Sequence, residues 1–360
     1  MAEGPKRSLA ALGWNQPFEQ ALAALGSPGL VPARVAAQYT HLYRVWTEDA
    51  DLLGSMVGRF RVEAESPADY PVVGDWVAVA ARPAEGSATI EAVLPRRSRF
   101  VRKVAGDHLQ EQVVAANVDT VFLVCGLDGD FNPRRIERAL VLAQESGAQP
   151  VVILSKADLC QEVPARLAEV ERLAPGVPVH AVSCRSGAGL ADFEHHMGPG
   201  STVALLGSSG VGKSTLINTL LGEDRLKTQA VRRQDSRGRH TTSHRELFLL
   251  PSGALMIDTP GIRELQLWSE GSAVRDTFDE VAELAESCAF RDCRHQTEPE
   301  CAVVAAVGAG RLAEERLLSY RKLQGESEAL ARRRDVFARQ AEKRRWRSIH
   351  KSLRHLKPRG

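Results

Sequence analysis

The sequence predicts a multidomain α/β protein: an N-terminal antiparallel β-barrel, a P-loop domain on a parallel sheet, and a C-terminal helical metal-binding domain. Three observations predict it. Short runs of period-two alternation, punctuated by Gly and Pro, fill residues 31–105. From 106 to 275, buried-type strands alternate with helical stretches, the pattern of a doubly wound parallel sheet. Three of the six cysteines then fall with one histidine inside the fourteen residues from Cys288 to Cys301, a concentration that metal ligation accounts for. A chain of 360 residues is long enough for two or three independent cores. The expected division is an extension over 1–30, a barrel over 31–105, the P-loop domain over 106–275, the metal-binding domain over 276–330 and a basic tail over 331–360.

Composition narrows the classes. The formal charge is +2, but residues 331–360 hold twelve Lys/Arg against Asp335 and Glu342, or +10, which leaves −8 for the remainder. A basic arm of this kind meets a polyanion. No apolar run approaches the ~20 residues that span a bilayer. Trp14, Asn15 and Gln16 interrupt any signal-peptide pattern. Three cysteines crowd together and three are scattered, which is no disulfide framework. The expected setting is therefore the reducing cytoplasm, without a membrane partner.

Residues 1–30 hold Trp14 and Phe18 among alanines and polar residues and carry no functional signal. Barrel strands are expected at 34–36, 42–46, 56–61, 75–79 and 88–94. Their number and spacing make the oligonucleotide-binding (OB) fold the first candidate. Arg96, Arg97, Arg99, Arg102 and Lys103 close the segment as a basic cluster. Beyond Asn117, residues 120–124 read as a buried strand, and 133–146 as a helix started by Pro133 and stopped by Gly147. A strand at 151–154, a helix at 163–173 and a strand at 179–182 follow.

Val203 to Leu206 is the next buried strand, and a helix begins at Lys213. Between them Gly207, Ser208, Ser209, Gly210, Val211, Gly212, Lys213 and Ser214 spell G-x-x-x-x-G-K-S, followed by Thr215. The fixed glycines let consecutive N–H groups converge on an anion at the positive end of the helix. Lys213 then reaches the β- and γ-phosphates, and the Ser214 hydroxyl ligates Mg²⁺. In this strand–loop–helix context the motif predicts a bound nucleoside triphosphate.

SKAD, from Ser155 to Asp158, follows a buried strand and resembles the guanine-reading N-K-x-D of GTPases. There the carboxylate accepts hydrogen bonds from the ring N–H and exocyclic amine of guanine, a donor pair that adenine lacks. Lys156 would lie along base and ribose. Ser155 stands where Asn is usual, which shortens one orienting contact and keeps ATP use open. Ser183 and Cys184 end the next strand, where a backbone N–H can meet the guanine oxygen. Downstream, Asp258-Thr259-Pro260-Gly261 ends a strand as D-x-x-G. Asp258 is expected to hold Mg²⁺ through water, and the Gly261 N–H to sense the γ-phosphate. The polar loop 232–244 offers Thr242, or Thr241, to complete the Mg²⁺ shell, ordering only while the γ-phosphate is present. Both base-reading loops precede the P-loop, whereas an ordinary GTPase places them after it. This is a circular permutation of one site, tolerated because strand ends keep their positions when reconnected.

Cys288-x4-Cys293-x-His295-x5-Cys301 supplies three thiolates and an imidazole, the closed tetrahedral set of a structural zinc ion. Leu312, Leu317, Tyr320 and Leu323 predict a helix packed on this module. His195 and His196 read as surface residues, and His41, His108 and His180 carry no signal.

On these residues the chain resembles the ribosome small-subunit-dependent GTPase A family (RsgA, or YjeQ). The carriers are VGDWV, VLPRRSRFVRK, AANVDTV, SKADL, GSSGVGKSTLIN, GRHTT, DTPGIRE and the Cys-Cys-His-Cys spacing, over roughly residues 31–325. The resemblance implies an OB-fold barrel, a circularly permuted GTPase domain and a zinc-binding C-terminal domain. It also implies late assembly of the 30S subunit with its 16S rRNA, and GTP hydrolysis stimulated by that subunit. Ser155 and the tail beyond about Arg332 depart from the family pattern.

In such a hydrolysis, Mg²⁺ and Lys213 neutralise charge building on the β/γ bridge while an in-line water attacks. Ile262 stands where many GTPases carry a water-orienting Gln, so His240, beside the switch threonines, is the candidate for that role. RNA contact is expected from the barrel, the 96–103 cluster and the tail, where arginines and lysines flank Trp346. Phosphate neutralisation gives affinity, and the indole stacks on a base. The chain is expected to be monomeric. A second class also fits these residues: a GTP-binding RNA scaffold with negligible hydrolysis.

Overall fold

The computed structural model describes residues 7–64, 66–103, 111–129, 131–225, 245–258 and 271–333. The chain divides into two compact units, one of residues 1–102 with 111–266, the other of 103–110 with 267–360.

The first unit is built on one eleven-stranded sheet. Its barrel half comprises β1 (Val31–Gln38), β2 (Tyr43–Trp46), β3 (Asp51–Met56), β4 (Trp76–Arg82) and β5 (Ser87–Val93). The order is β1-β2-β3-β5-β4, with β4 returning to β1. β3 and β5 run parallel, and the other pairs antiparallel. The result is a closed five-stranded barrel. Alternation supplies its interior: Ala33 and Val35, Tyr43 and Val45, Val77 and Val79, Ala88 and Ile90 form one apolar cluster.

One expected strand is replaced. Of residues 56–61, Met56 ends β3, and Gly58–Glu63 forms helix α2. Val57 N still bonds Ile90 O at 3.1 Å, after which Phe60 N turns back onto Val57 O at 3.1 Å. The true strand, Asp51–Met56, contains Gly54 and Ser55, whose weak strand propensity conceals it.

Residues 7–30, silent in the sequence, pack into this unit. Helix α1 (Gln16–Ala24) buries Phe18, and the turn before it buries Leu12. Trp14 meets Trp76 edge-on at 4.7 Å between ring centres. Arg34 on β1 is wholly buried and joins three segments. Its Nη1 donates to Leu12 O (3.2 Å), and its Nη2 to Asn117 O (3.1 Å) and Thr202 Oγ1 (3.0 Å). Burial lowers its pKa to about 10, so it is still charged at neutral pH. Arg96 is also turned inward: Nε and Nη2 bind the buried Asp75 carboxylate at 2.8 and 2.7 Å, and Nη1 and Nη2 bind the carbonyls of Ala68 and Tyr70. Arg97 pairs with Asp119 at 2.7 Å. Arg99 and Arg102 lie on β6 (Arg99–Lys103), which pairs with β7 (Glu111–Ala116) as a separate two-stranded sheet. The basic cluster is thus partly internal structure.

β1 also pairs with β12 (Arg245–Leu249), which continues the sheet into its second half. There the order is β10-β9-β8-β11-β13-β12, with β8 (Thr120–Gly126), β9 (Gln149–Ser155), β10 (Val179–Ala181), β11 (Thr202–Leu206) and β13 (Leu255–Asp258). These five are mutually parallel, and β12 runs antiparallel to β13. Their carboxyl ends therefore share one edge. Helix α3 (Pro133–Ser146) starts where Asn132 Oδ1 accepts from Arg134 N at 3.0 Å and stops at left-handed Gly147. α4 (Val163–Leu173), α5 (Leu190–Glu194) and α6 (Lys213–Leu221) complete the layers, and Phe122, Ile153, Val203, Leu205, Leu216 and Met256 share the core.

The second unit contains α7 (Ser272–Thr277), α8 (Asp279–Ala285), α9 (Ala302–Gly308) and α10 over 314–333. Leu312, Leu317, Tyr320 and Leu323 are buried with Phe278, Val281, Val303 and Ala306. Arg316 on α10 bonds Glu280 Oε1 at 2.5 Å and Thr277 O at 2.7 Å, over the Phe278 ring at 4.0 Å. Among the described residues no helix is long and apolar enough to cross a membrane.

Candidate functional site

β11 delivers the chain to Gly207, and α6 leaves from Lys213. Gly207 passes so close to β8 that a β-carbon there would sit 2.3 Å from Val124 O. Any other residue would push the loop off the strand. Gly212 turns into α6 with φ +94°, a conformation that glycine takes at no steric cost. Val211 is buried, Ser208, Gly212, Lys213 and Ser214 are half-buried, and Ser209, Gly210 and Thr215 are exposed. Lys213 Nζ donates to Gly207 O at 2.7 Å and Ser208 O at 2.6 Å, so the ammonium rests on the loop's own carbonyls.

SKAD lies where β9 ends. The buried Ser155 hydroxyl donates to Val211 O at 2.6 Å and lies 3.3 Å from Cys125 O. The residue that replaces the usual Asn therefore ties this strand to the P-loop backbone. Lys156 adopts φ +59°, a left-handed conformation that costs a non-glycine residue about 1–3 kcal/mol and concentrates at ligand clamps. Its ammonium pairs with Asp128, just beyond β8. The exposed Asp158 accepts at Oδ1 from Ser183 Oγ at 2.6 Å, which links the loops that follow β9 and β10. Cys184 packs against the core, and burial pushes its thiol up.

Asp258 ends β13 half-buried, on the strand beside β11. The structure thus brings SKAD, Ser183, Cys184, residues 207–215 and Asp258 to neighbouring carboxyl ends of one parallel sheet, the place where such sheets bind ligands. His240, Thr241, Thr242 and Gly261 lie outside the described residues, as do Ile262 and the tail beyond 333. Two participants escaped the sequence reading: Asp128, and Arg135 on α3, whose Nη1 reaches Ser208 Oγ at 3.5 Å. A charged residue just past a parallel strand was the available signal for the first. A cavity of about 350 Å³ opens beside the loop, lined by Leu123, Cys125, Arg135, Ile136, Leu206 and Ser208.

In the second unit, Cys288, Cys293, His295 and Cys301 bring one ligand atom each within 4.8 Å of the others. Cys288 Sγ lies 3.9 Å from Cys301 Sγ, and His295 Nδ1 lies 3.6 and 3.5 Å from those sulfurs. A tetrahedral ion with Zn–S of about 2.3 Å and Zn–N of about 2.0–2.1 Å requires S···S of about 3.8 Å and S···N of about 3.5 Å. The residues fit. Cys301 opens α9, and its sulfur accepts from Val304 N at 3.4 Å. Burial, with the neighbouring thiols adding to it, pushes Cys293 up to about 11, the cost that a bound cation reverses.

Comparison with known proteins agrees with this geometry. A family model described as RsgA GTPase matches residues 93–268. A protein of Opitutus terrae named small ribosomal subunit biogenesis GTPase RsgA is 49% identical over 96% of this chain and 97% of its own length. A Xylella fastidiosa protein of that name is 47% identical, over 89% of this chain and 94% of its own. Among solved structures, YjeQ from Thermotoga maritima matches with a TM-score of 0.63 and 28% identity, covering 83% of this chain and 98% of that one. YloQ, described as a circularly permuted GTPase, matches with a TM-score of 0.61 and 25% identity, covering 83% and 96%.

Proposed function

The chain belongs to the RsgA GTPase family, and from that premise we propose that it is a GTP hydrolase acting in maturation of the small ribosomal subunit. The observation that carries this reading is the meeting of the P-loop, SKAD and Ser183 on adjoining strand ends, in permuted order along the chain. Asp158 reads guanine, with Ser183 and Cys184 lining the base, and Lys156 lies along base and ribose.

Lys213 exchanges the carbonyls of Gly207 and Ser208 for phosphate oxygens. Ser214, Asp258 through water, and Thr242 or Thr241 hold the Mg²⁺ that arrives with the nucleotide, whose chemistry is to neutralise phosphate charge. Gly261 and His240 keep their roles toward the γ-phosphate and the attacking water on sequence grounds. Cys288, Cys293, His295 and Cys301 hold a structural zinc ion. The partner is the 30S subunit with its 16S rRNA, met in the cytoplasm by a monomer.

The test is hydrolysis of GTP against ATP, with and without purified 30S subunits. The subunit should raise GTP turnover by about tenfold or more, as in-trans activation of GTPases does, and free RNA should do little. Flat turnover with persisting GTP-dependent subunit binding would replace the hydrolase with a scaffold. Equal use of ATP would remove Asp158 from base recognition.

A further inference from the structure

Three histidines that the nucleotide and cysteine sites do not use meet at the β10 margin of the sheet. His180 is the middle residue of β10, and His195 and His196 follow the last residue of α5. Fourteen residues lie between His180 and His195, yet His180 Nε2 lies 3.1 Å from His196 Nε2. One ring nitrogen from each of the three lies within 4.8 Å of the others. Their ring centres are 5.2 Å (180–196), 3.9 Å (195–196) and 5.9 Å (180–195) apart.

We propose that His180, His195 and His196 form a second metal site, a three-imidazole face for a borderline divalent transition ion of the zinc class. At Zn–N of about 2.0–2.1 Å, tetrahedral ligands stand about 3.4 Å apart, so the 3.1 Å pair is already close to ligating distance. His195 is exposed, and one of its ring nitrogens already lies within 4.8 Å of the others. The backbone beneath is fixed: Phe193 of α5 is fully buried, 5.4 Å from Phe122 of β8 and 6.4 Å from His180 between ring centres.

Ligation needs neutral imidazoles. Burial, and then the charge of His195, lowers His180 and His196, while Asp192 on α5 acts on His180 in the opposite sense. Nitrogen donors alone disfavour Mg²⁺ and Ca²⁺, which take oxygen. Three protein ligands leave one tetrahedral position for water or an outside ligand. The ion would pin α5 to β10 only three residues before Ser183, and so steady the loop that carries it.

The probe is Co²⁺, added to the full chain already carrying one zinc ion in its cysteine cluster. A second ion per chain should bind, with visible bands of nitrogen and oxygen coordination and without a thiolate-to-cobalt band. His195→Ala, at an exposed position, should weaken that binding about tenfold or more, since loss of even an outer-shell partner costs about 10–100-fold. His180→Gln combined with His196→Gln should abolish it while GTP binding, the check on folding, is retained. The proposal falls if no second ion binds, if the bands carry thiolate character, or if His195→Ala binds as the parent does. If no second ion binds, the 3.1 Å contact is only a hydrogen bond between two imidazoles. Should the double variant fail to fold, His195→Ala decides alone.

Discussion

At the ends of the parallel strands Lys213, Lys156, Ser155 and Asp158 each hold a protein partner, while in the C-terminal unit Cys288, His295 and Cys301 chiefly face one another. The first arrangement lets a polar pocket fold before its ligand arrives. On the proposed reading, loop carbonyls, Asp128 and Ser183 take the places of phosphate and base, and nucleotide binding becomes an exchange of partners. The second has weaker stand-ins, backbone N–H groups such as Val304 N at 3.4 Å from the Cys301 sulfur. Thiols are weak donors and weak acceptors, and α7, α8 and α9 have only six or seven residues each. Isolated helices below about 12–15 residues are marginal in water. One region is held by its own hydrogen bonds, and on the proposed zinc reading the other depends on an ion for its shape.

The largest expected effect follows from that dependence. Cys301→Ser removes a buried sulfur that also caps α9, and a structural zinc ion contributes several kcal/mol or more to folding. Zinc content should fall to near zero, and the unfolding midpoint of residues 272–333, followed by amide exchange, should drop by at least about 15 °C for a unit of this size. The strands of the first unit should keep their protection. If α8, α9 and α10 exchange as in the parent protein, the ion is not what holds them.

Asp158→Asn probes the preformed region, with an intermediate effect on binding and little on stability. The proposed carboxylate accepts two guanine donors, and hydrogen bonds to a charged group contribute about 1.5–3 kcal/mol each. GTP affinity should fall by about a hundredfold or more, while xanthosine triphosphate, with a carbonyl in place of the exocyclic amine, should bind better than it does to the parent. Asp158 is exposed, so the melting midpoint should hardly move. Calorimetric titration with both nucleotides reads the outcome, and unaltered preference for GTP would remove the residue from base recognition.

What the sequence disclosed, and what it hid, divides along the same physical line. The P-loop, SKAD and the Cys–His spacing were legible because ligand chemistry fixes residue types within one short stretch. The bounds of α3 were legible because Pro133 and Gly147 mark them locally. Asp128 and the three histidines were not, since only the pairing of β8 with β9 brings Asp128 to Lys156, and only the packing of α5 brings His195 and His196 to His180. Arg96 reads as a solvent-facing cation, and its burial against Asp75, twenty-one residues earlier, belongs to the folded turn alone. Arg34 is hidden for the same reason, with partners at Leu12, Asn117 and Thr202. The roles of Trp14 and Phe18 became visible only once Trp76 stood opposite them.

The smallest effect separates two meanings of Ser155. In the sequence it is a weakened base-reading residue. In the fold its hydroxyl donates to Val211 O, 2.6 Å away, so it acts on the P-loop. Ser155→Ala leaves that carbonyl without its hydroxyl partner, at a cost of about 1–3 kcal/mol for a buried polar group, and loosens the loop that receives phosphate. GTP and ATP affinities should therefore fall together, by severalfold, with their ratio unchanged, and the denaturant midpoint should shift in proportion to the lost stability. A collapse of the ratio instead, with phosphate binding intact, would mean that Ser155 reads the base. The two nucleotides measured side by side decide between a residue that shapes the loop and one that chooses the ligand.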